Sequence, residues 1–198
     1  MKKLQLVLLM SVLVITIHAQ EKRSIPAKVE TVLDIPVFIF SIPAAEYEVV
    51  GKAVTAGHII KVGVDESSTV REKTKEIVRK ALDRKEKGKV PAFDAILVDL
   101  NRERIQAITF TNEPSLDAIV LLPEDVPVYF FSVPKGKYRV VEELPADFSL
   151  RAQRGLLLDK VESMMRRTLK KEAAGEVEKF DAVIISPDDL SEQLIVFE

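Results

Sequence analysis

The sequence predicts an α+β protein: a tandem duplication of a β-β-(β)-α-β-β unit, with mostly antiparallel sheet and one amphipathic helix packed on one face of each unit. Three observations support this prediction. Two long segments of the chain match each other, an apolar stripe at helical spacing follows in each copy, and β-branched or aromatic runs flank both stripes. We place the first unit at residues 24–111 and the second at residues 115–198, after a leader at residues 1–19.

The leader has the three parts of a secretory signal peptide. Lys2 and Lys3 supply a positive start, an almost wholly apolar run extends to Ile17, and Ala19 offers a small residue before a charged segment. This apolar run is short against the ~20 residues needed to span a bilayer. We therefore expect cleavage near Ala19 and a periplasmic or secreted mature protein with no membrane span.

Composition excludes several classes of site. The chain has 29 basic and 31 acidic residues; without Lys2 and Lys3 there are 27 basic residues against 31 acidic, a net charge of −4. Cysteine and tryptophan are absent, and His58 is the single histidine beyond the leader. These counts exclude cysteine zinc sites, thiol catalysis, disulfide scaffolds and sites with two histidines on one chain. We expect no metal, no cofactor and no nucleic-acid partner.

The duplication is visible as an ungapped match. Asp34 to Val50 aligns with Asp125 to Val141 at an offset of 91 residues, with nine identical pairs among 17. Two later blocks match at an offset of 87, namely Phe93–Val98 with Phe180–Ile185 and Gln106–Phe110 with Gln193–Phe197. Because the offset falls by four, the first copy has a short extra piece within residues 51–67.

Strand-forming runs precede the helix in each copy. We expect one hairpin about residues 43–46 and a second about residues 134–137, because a turn-forming segment separates two β-branched or aromatic runs in each case. The predicted strands are Val37–Ile42 and Tyr47–Val54 in the first copy, and Val128–Val133 and Tyr138–Val141 in the second. His58–Val64 is an expected extra strand, and Val29–Leu33 and Leu116–Leu122 are expected to lead into the two copies.

The helices are predicted from apolar residues at i, i+4, i+7 and i+8. The first is expected to begin at Ser68 or Thr69, because Thr69 and Glu72 have the spacing of a capping box. The second is expected to begin near Ser149 and to be longer. Gly88 and Gly175 follow the two stripes, where a helix end favours a residue that tolerates positive φ.

A second hairpin is predicted after each helix. Its strands are Asp94–Leu100 with Arg104–Phe110 in the first copy, and Asp181–Ser186 with Gln193–Phe197 in the second. A unit of about 75 residues buries only a modest fraction of its surface. We therefore expect the two units to pack together about a pseudo-twofold axis.

One strand and one strand start in each copy resemble a known family. Pro43 to Gly51 reads Pro-x-x-x-Tyr-x-Val-Val-Gly, and Phe-Asp-Ala-Ile follows the helix at Phe93. This pattern resembles the small bacterial domains labelled heavy-metal-binding or YbjQ-like. The second copy departs from it with Glu142 in place of the glycine, and Phe93 and Phe180 replace a small residue. The resemblance implies a fold but no site.

Five residues are candidates for ligand binding. Asp94, Asp181, Tyr47 and Tyr138 recur at corresponding positions in the two copies, so each pair either serves the shared fold or lines a symmetric cleft. For the aspartates we favour a structural role, with hydrogen bonds from backbone amides. His58 is the remaining candidate, and we favour a surface or strand-edge position because no nucleophile motif accompanies it.

The leading functional hypothesis is an exported, non-enzymatic binding or structural module of the cell envelope. Its two copies would present a sheet face or a groove to an envelope protein, peptide or glycan. The alternative is an enzyme that uses carboxylates alone, such as a glycoside hydrolase or lyase, with Asp94 and Asp181 flanking a cleft between the repeats. A third hypothesis is a homo-oligomer formed through exposed strand edges.

Overall fold

The computed structural model describes residues 25–54, 61–62, 69–146 and 155–198. The predicted α+β class is confirmed, with strands dominating. Several predicted features lie outside the described residues. They are the leader, His58, Ser149 and the expected strand His58–Val64, of which only Lys61–Val62 is described. The helices are α1 Val70–Glu86 and α2 Leu157–Ala174. The strands are β1 Pro26–Val29, β2 Thr31–Val32, β3 Ile35–Phe38, β4 Ser41–Pro43, β5 Tyr47–Lys52, β6 Lys61–Val62, β7 Ala95–Asp99, β8 Arg104–Phe110, β9 Asp117–Val120, β10 Val128–Tyr129, β11 Ser132–Pro134, β12 Tyr138–Leu144, β13 Gly155–Leu156, β14 Ala182–Ile185 and β15 Glu192–Phe197.

Three larger sheets and one two-stranded ribbon organise these strands. We call residues 24–111 the first half and residues 115–198 the second half. One sheet, β2-β3-β7-β8-β5, belongs to the first half, and another, β10-β14-β15-β12, belongs to the second. The shared sheet has the order β11-β1-β9-β4, so it alternates strands from both halves, and the ribbon pairs β13 with β6. The two halves are therefore joined by backbone hydrogen bonds.

Strand registers in the two halves correspond at the sequence offsets of 91 and 87. Val37 of β3 pairs in parallel with Ile96 of β7, and Val128 of β10 pairs in parallel with Val183 of β14. The β5–β8 ladder shifts register between Val49 and Gly51, and the β12–β15 ladder shifts at the corresponding place. In the shared sheet, Ala27 lies opposite Ala118, which is its own counterpart at an offset of 91.

The two hairpins predicted before the helices are wrong. Phe40 has φ 54° and Phe131 has φ 52°, and this left-handed turn divides each predicted strand in two. The first piece, β3 or β10, joins the sheet of its own half, while the second, β4 or β11, joins the shared sheet. A non-glycine residue in this conformation costs of order 1–3 kcal/mol. Burial of both aromatic rings, each 1% exposed, offsets that cost.

The helix ends follow the predicted chemistry at three of four places. Thr69 caps α1, and its Oγ1 accepts a hydrogen bond from the Glu72 amide at 3.1 Å. Gly88 and Gly175 follow the helices with φ 64° and 73°. The predicted start of the second helix near Ser149 is wrong, because α2 begins at Leu157. The residues just before it form β13, which pairs with β6.

The hairpins predicted after the helices are confirmed: β7 pairs with β8, and β14 pairs with β15, both antiparallel. Each helix buries one face in a core that draws on both halves. Phe130 lies at the centre of this core, in edge-to-face contact with Phe40 at 5.9 Å and with Phe131 at 5.3 Å between ring centroids. Among the described residues, no helix is both long and apolar enough to cross a membrane.

Candidate binding groove

An open groove of about 490 Å³ lies between strands of the first half and two leucines of the second. Its apolar wall includes Ile42 of β4, Val49 of β5, and Leu121 and Leu158 of the second half. Ile42, Val49 and Leu121 are 38%, 49% and 39% exposed, which is high for large apolar side chains. Apolar side chains that gather at the surface in this way mark a place where another molecule can be bound.

Polar side chains also line the groove. Asn101, Arg102 and Gln106 line it from the β7–β8 turn and from β8. The Arg102 amide donates to Asp99 Oδ1 at 3.0 Å, which holds this turn in place. Ser41 is buried at the floor, and its hydroxyl has no hydrogen-bond partner among the described residues. The groove can therefore bind apolar groups and offers a few hydrogen bonds.

An ion-pair cluster occupies the positions that correspond to part of the groove in the other half of the sequence alignment. At offsets of 91 and 87, Leu121 corresponds to Glu30, Leu158 to Arg71, and Asn101 to Asp188. Arg71 Nη1 donates to Glu30 Oε2 at 2.9 Å, and Arg71 Nε donates to Asp188 Oδ1 at 3.0 Å. Three positions that carry two leucines and an asparagine at the groove thus carry paired charges here, while Ile42 and Val49 have apolar counterparts, Val133 and Val140, that are also exposed.

Packing on an aromatic ring holds this ion-pair cluster in place. The Arg71 guanidinium lies over the Phe131 ring, 5.2 Å from its centroid. Burial alone would lower the pKa of Arg71, but hydrogen bonds and charges from Glu30 and Asp188 raise the pKa overall. Arg71 therefore stays charged and remains paired with both carboxylates.

The two candidate aspartates immediately precede β7 and β14, which belong to different sheets, and each accepts hydrogen bonds from its own hairpin. Asp94 Oδ2 accepts hydrogen bonds from the Phe110 amide at 2.9 Å and from Thr109 Oγ1 at 2.6 Å. Asp181 Oδ2 accepts one from the Phe197 amide at 2.9 Å. The predicted hydrogen bond from a backbone amide is therefore present at both positions, and its donor is the last residue of β8 or β15.

Of the other predicted site residues, Tyr47 lies in the groove and Tyr138 does not. Both tyrosines are partly buried against the apolar cluster beneath the shared sheet. His58 falls outside the described residues. Sequence reasoning missed Leu121 and Leu158, and the signal was available: aligning the halves places an apolar residue opposite a charged one at both positions.

The described part of the chain contains no cluster of possible metal ligands. No group of three or more histidine, aspartate or glutamate side chains there is placed to hold a metal ion. Comparison with family models, with curated proteins and with solved structures finds no match to this chain.

Proposed function

We propose that this protein is an exported, non-enzymatic binding module of the cell envelope, and that the groove takes apolar side chains of a partner protein. One observation carries the proposal: the groove has Leu121, Leu158 and Asn101 at the three positions where the corresponding surface has the ion pairs of Glu30, Arg71 and Asp188. Three paired charges on one surface, and two leucines and an asparagine at the same positions on the other, make the groove the more apolar of the two surfaces.

The tandem duplication belongs to the same proposal. It is supported by the matching strand registers and by the backbone conformations at the chain turns. Among the described residues, those with positive φ other than glycine fall into pairs at offsets of 91 or 87: Leu33 with Glu124, Asp34 with Asp125, Phe40 with Phe131, and Glu103 with Leu190. Such strained positions are rare, so shared ancestry of the two halves explains them better than chance. The halves then diverged where binding required it, as in a duplicated YbjQ-like domain.

The arrangement of the carboxylates favours binding over catalysis. A glycosidase-type pair needs two carboxyl groups facing one cleft. Asp94 and Asp181 instead accept hydrogen bonds from the last residues of their own hairpins. Neither aspartate lines the groove.

A charge-importing variant tests the groove. The triple variant Leu121→Glu, Leu158→Arg, Asn101→Asp introduces the three residues of the ion-pair cluster into the groove. We expect it to fold and to present a charged groove in place of an apolar one. We expect at least tenfold weaker capture of the envelope partner, measured by quantitative cross-linking and pull-down from envelope extracts. The control variant, Val133→Glu with Val140→Arg, adds charges at two exposed apolar positions outside the groove.

Equal capture by the triple variant and the wild type would contradict the proposal, as would equal loss in the control variant. Circular dichroism and thermal melting verify that each variant is folded. Export is tested separately by N-terminal sequencing of the protein from the envelope fraction. A start at Gln20 is expected, and a cytoplasmic chain that retains Met1 would contradict it.

A further inference from the structure

Two strands with open edges lie at the ends of two different sheets. β5 is the last strand of the first-half sheet, and β12 is the last strand of the second-half sheet. Among the described strands, each of the two pairs on one side only, β5 with β8 and β12 with β15. The other side of each strand therefore has backbone N–H and C=O groups that can pair with a further strand.

Two residues of β5 present their backbone groups to its open edge. The Thr111 amide donates to the Glu46 carbonyl at 3.1 Å, at the start of the β5–β8 ladder. Because hydrogen-bonded positions alternate along an antiparallel ladder, the backbone groups of Tyr47 and Val49 point away from β8. The Val49 side chain is 49% exposed, so this edge is accessible.

The edge of β12 has the same arrangement. The Glu198 amide donates to the Lys137 carbonyl at 3.1 Å, so the backbone groups of Tyr138 and Val140 point away from β15. The Val140 side chain is 41% exposed. These residues are the counterparts, at an offset of 91, of the two edge residues of β5.

The two open edges differ in charge. β5 carries Glu48, with Glu46 just before the strand, whereas the corresponding positions at β12 are Arg139 and Lys137. All four side chains are exposed, and within the part of the chain that the structure describes none of them forms an ion pair. Each molecule therefore has one acidic open edge and one basic open edge.

The outer strands of the shared sheet are protected in another way. These strands, β4 and β11, contain Pro43 and Pro134. Proline has no N–H to donate and hinders the pairing of an edge strand with another chain. Neither β5 nor β12 contains a proline. Their protection depends on charge, which repels an identical edge and attracts the opposite one.

We propose that copies of this chain associate head to tail, with β5 of one copy antiparallel to β12 of the next. The register that joins the outward-facing residues and the opposite charges pairs Tyr47 with Val140, Glu48 with Arg139, and Val49 with Tyr138. The two outer pairs would make about four backbone hydrogen bonds, because all of their members face the interface. Each outer pair also joins an aromatic with a β-branched side chain, which stabilises adjacent strands.

Charge selects this pairing over the pairing of two identical edges. In the same geometry, two β5 strands would place Glu48 against Glu48, and two β12 strands would place Arg139 against Arg139. Like charges directly opposite each other destabilise a strand pair. Because the contact joins two different surfaces, it leaves an open edge on each terminal copy and extends into rings or chains of copies.

This association goes beyond the proposed function, because its occupant is a second copy of the chain. It is also distinguishable from binding at the groove. Tyr47 and Val49 line the groove, whereas Glu48 and Arg139 do not, since alternate residues of a strand face opposite sides of the sheet. Reversing either charge therefore leaves every groove residue in place.

Charge reversal tests the pairing. In size-exclusion chromatography with light scattering, the average mass of the wild type should exceed that of one copy and rise with concentration. Glu48→Arg and Arg139→Glu should each weaken association about tenfold, since each sets like charges against one another. The control variants Glu86→Arg and Lys170→Glu reverse charges at exposed positions on α1 and α2 and should associate like the wild type.

Mixing the two single variants separates the interface from folding. Glu48→Arg has a basic centre at both edges and Arg139→Glu has an acidic centre at both, so an equimolar mixture should associate as the wild type does. The double variant Glu48→Arg, Arg139→Glu should do so on its own. A wild type that stays monomeric, single variants that associate as strongly as the wild type, or a mixture that does not associate would each overturn the proposal.

Discussion

The groove and the ion-pair cluster occupy corresponding surfaces of one molecule, yet their chemistry is opposite. The groove has Leu121 and Leu158 where the cluster has Glu30 and Arg71, and the surrounding strands have the same register in both places. Three side chains thus distinguish an ion-paired surface from a more apolar one within the same backbone frame. The comparison teaches that the backbone frame determines where a surface lies, while a few side chains determine whether it is open.

The largest expected effect is the loss in the free energy of unfolding when a buried phenylalanine at either left-handed turn is truncated. Phe40→Ala and Phe131→Ala should each lower the free energy of unfolding by ~3–5 kcal/mol, because each removes a buried ring from the common core. Phe131→Ala should cost about 0.5–1 kcal/mol more, since Arg71 lies over that ring. Urea unfolding measures both values. Equal losses would mean that the ion-pair cluster gains nothing from Phe131.

A smaller effect should distinguish the two aspartates. Asp94→Ala removes an acceptor of two hydrogen bonds and should cost about 2–3 kcal/mol, whereas Asp181→Ala removes an acceptor of one and should cost about 1 kcal/mol. Thr109→Val serves as the control, because it replaces Thr109 by the residue type of its counterpart in the second half, Val196. In that background, Asp94→Ala should cost as little as Asp181→Ala. Thermal or urea unfolding of the four variants checks this, and an unchanged cost would contradict it.

The smallest effect concerns how the free energy of unfolding depends on pH through Glu192, which corresponds to Ile105 of the first half at an offset of 87. Because burial raises the pKa of Glu192 above its ordinary value of 4.5, the folded state holds that proton more tightly than the unfolded chain does. The resulting stabilisation is full below pH 4.5 and is lost as the pH rises through the folded-state pKa. The unfolding free energy of the wild type relative to Glu192→Gln should therefore fall with rising pH. A difference in unfolding free energy that stays constant or increases with rising pH would contradict a raised pKa at Glu192.

Local patterns in the sequence predicted the elements better than the connections between them. The cap at Thr69 and the glycines after each helix were predicted, because both depend on neighbouring residues. The left-handed turns at Phe40 and Phe131 were not, since aromatic residues adopt positive φ only where distant packing enforces it. The start of α2 was also missed, because β13 forms through pairing with the distant β6.

The candidate sites were predictable in part. Tyr47 was singled out from its recurrence and does lie in the groove. Glu192 was passed over, although aligning the halves sets it opposite Ile105 and so places an acid where an apolar residue suffices. The groove was not visible in the sequence as a site. It depends on side chains from separate elements meeting in space, which periodicity does not report.

The alternation of strands in the shared sheet has a consequence for the order of folding. β1 lies between β9 and β11, so Ala27 pairs with Pro134, more than a hundred positions later in the chain. A ribosome that has made only the first half has not yet supplied either partner of β1. Both edges of β1 therefore stay unpaired until most of the chain has been synthesised. Long-range pairing of this kind slows folding and favours chaperones that protect unpaired strands.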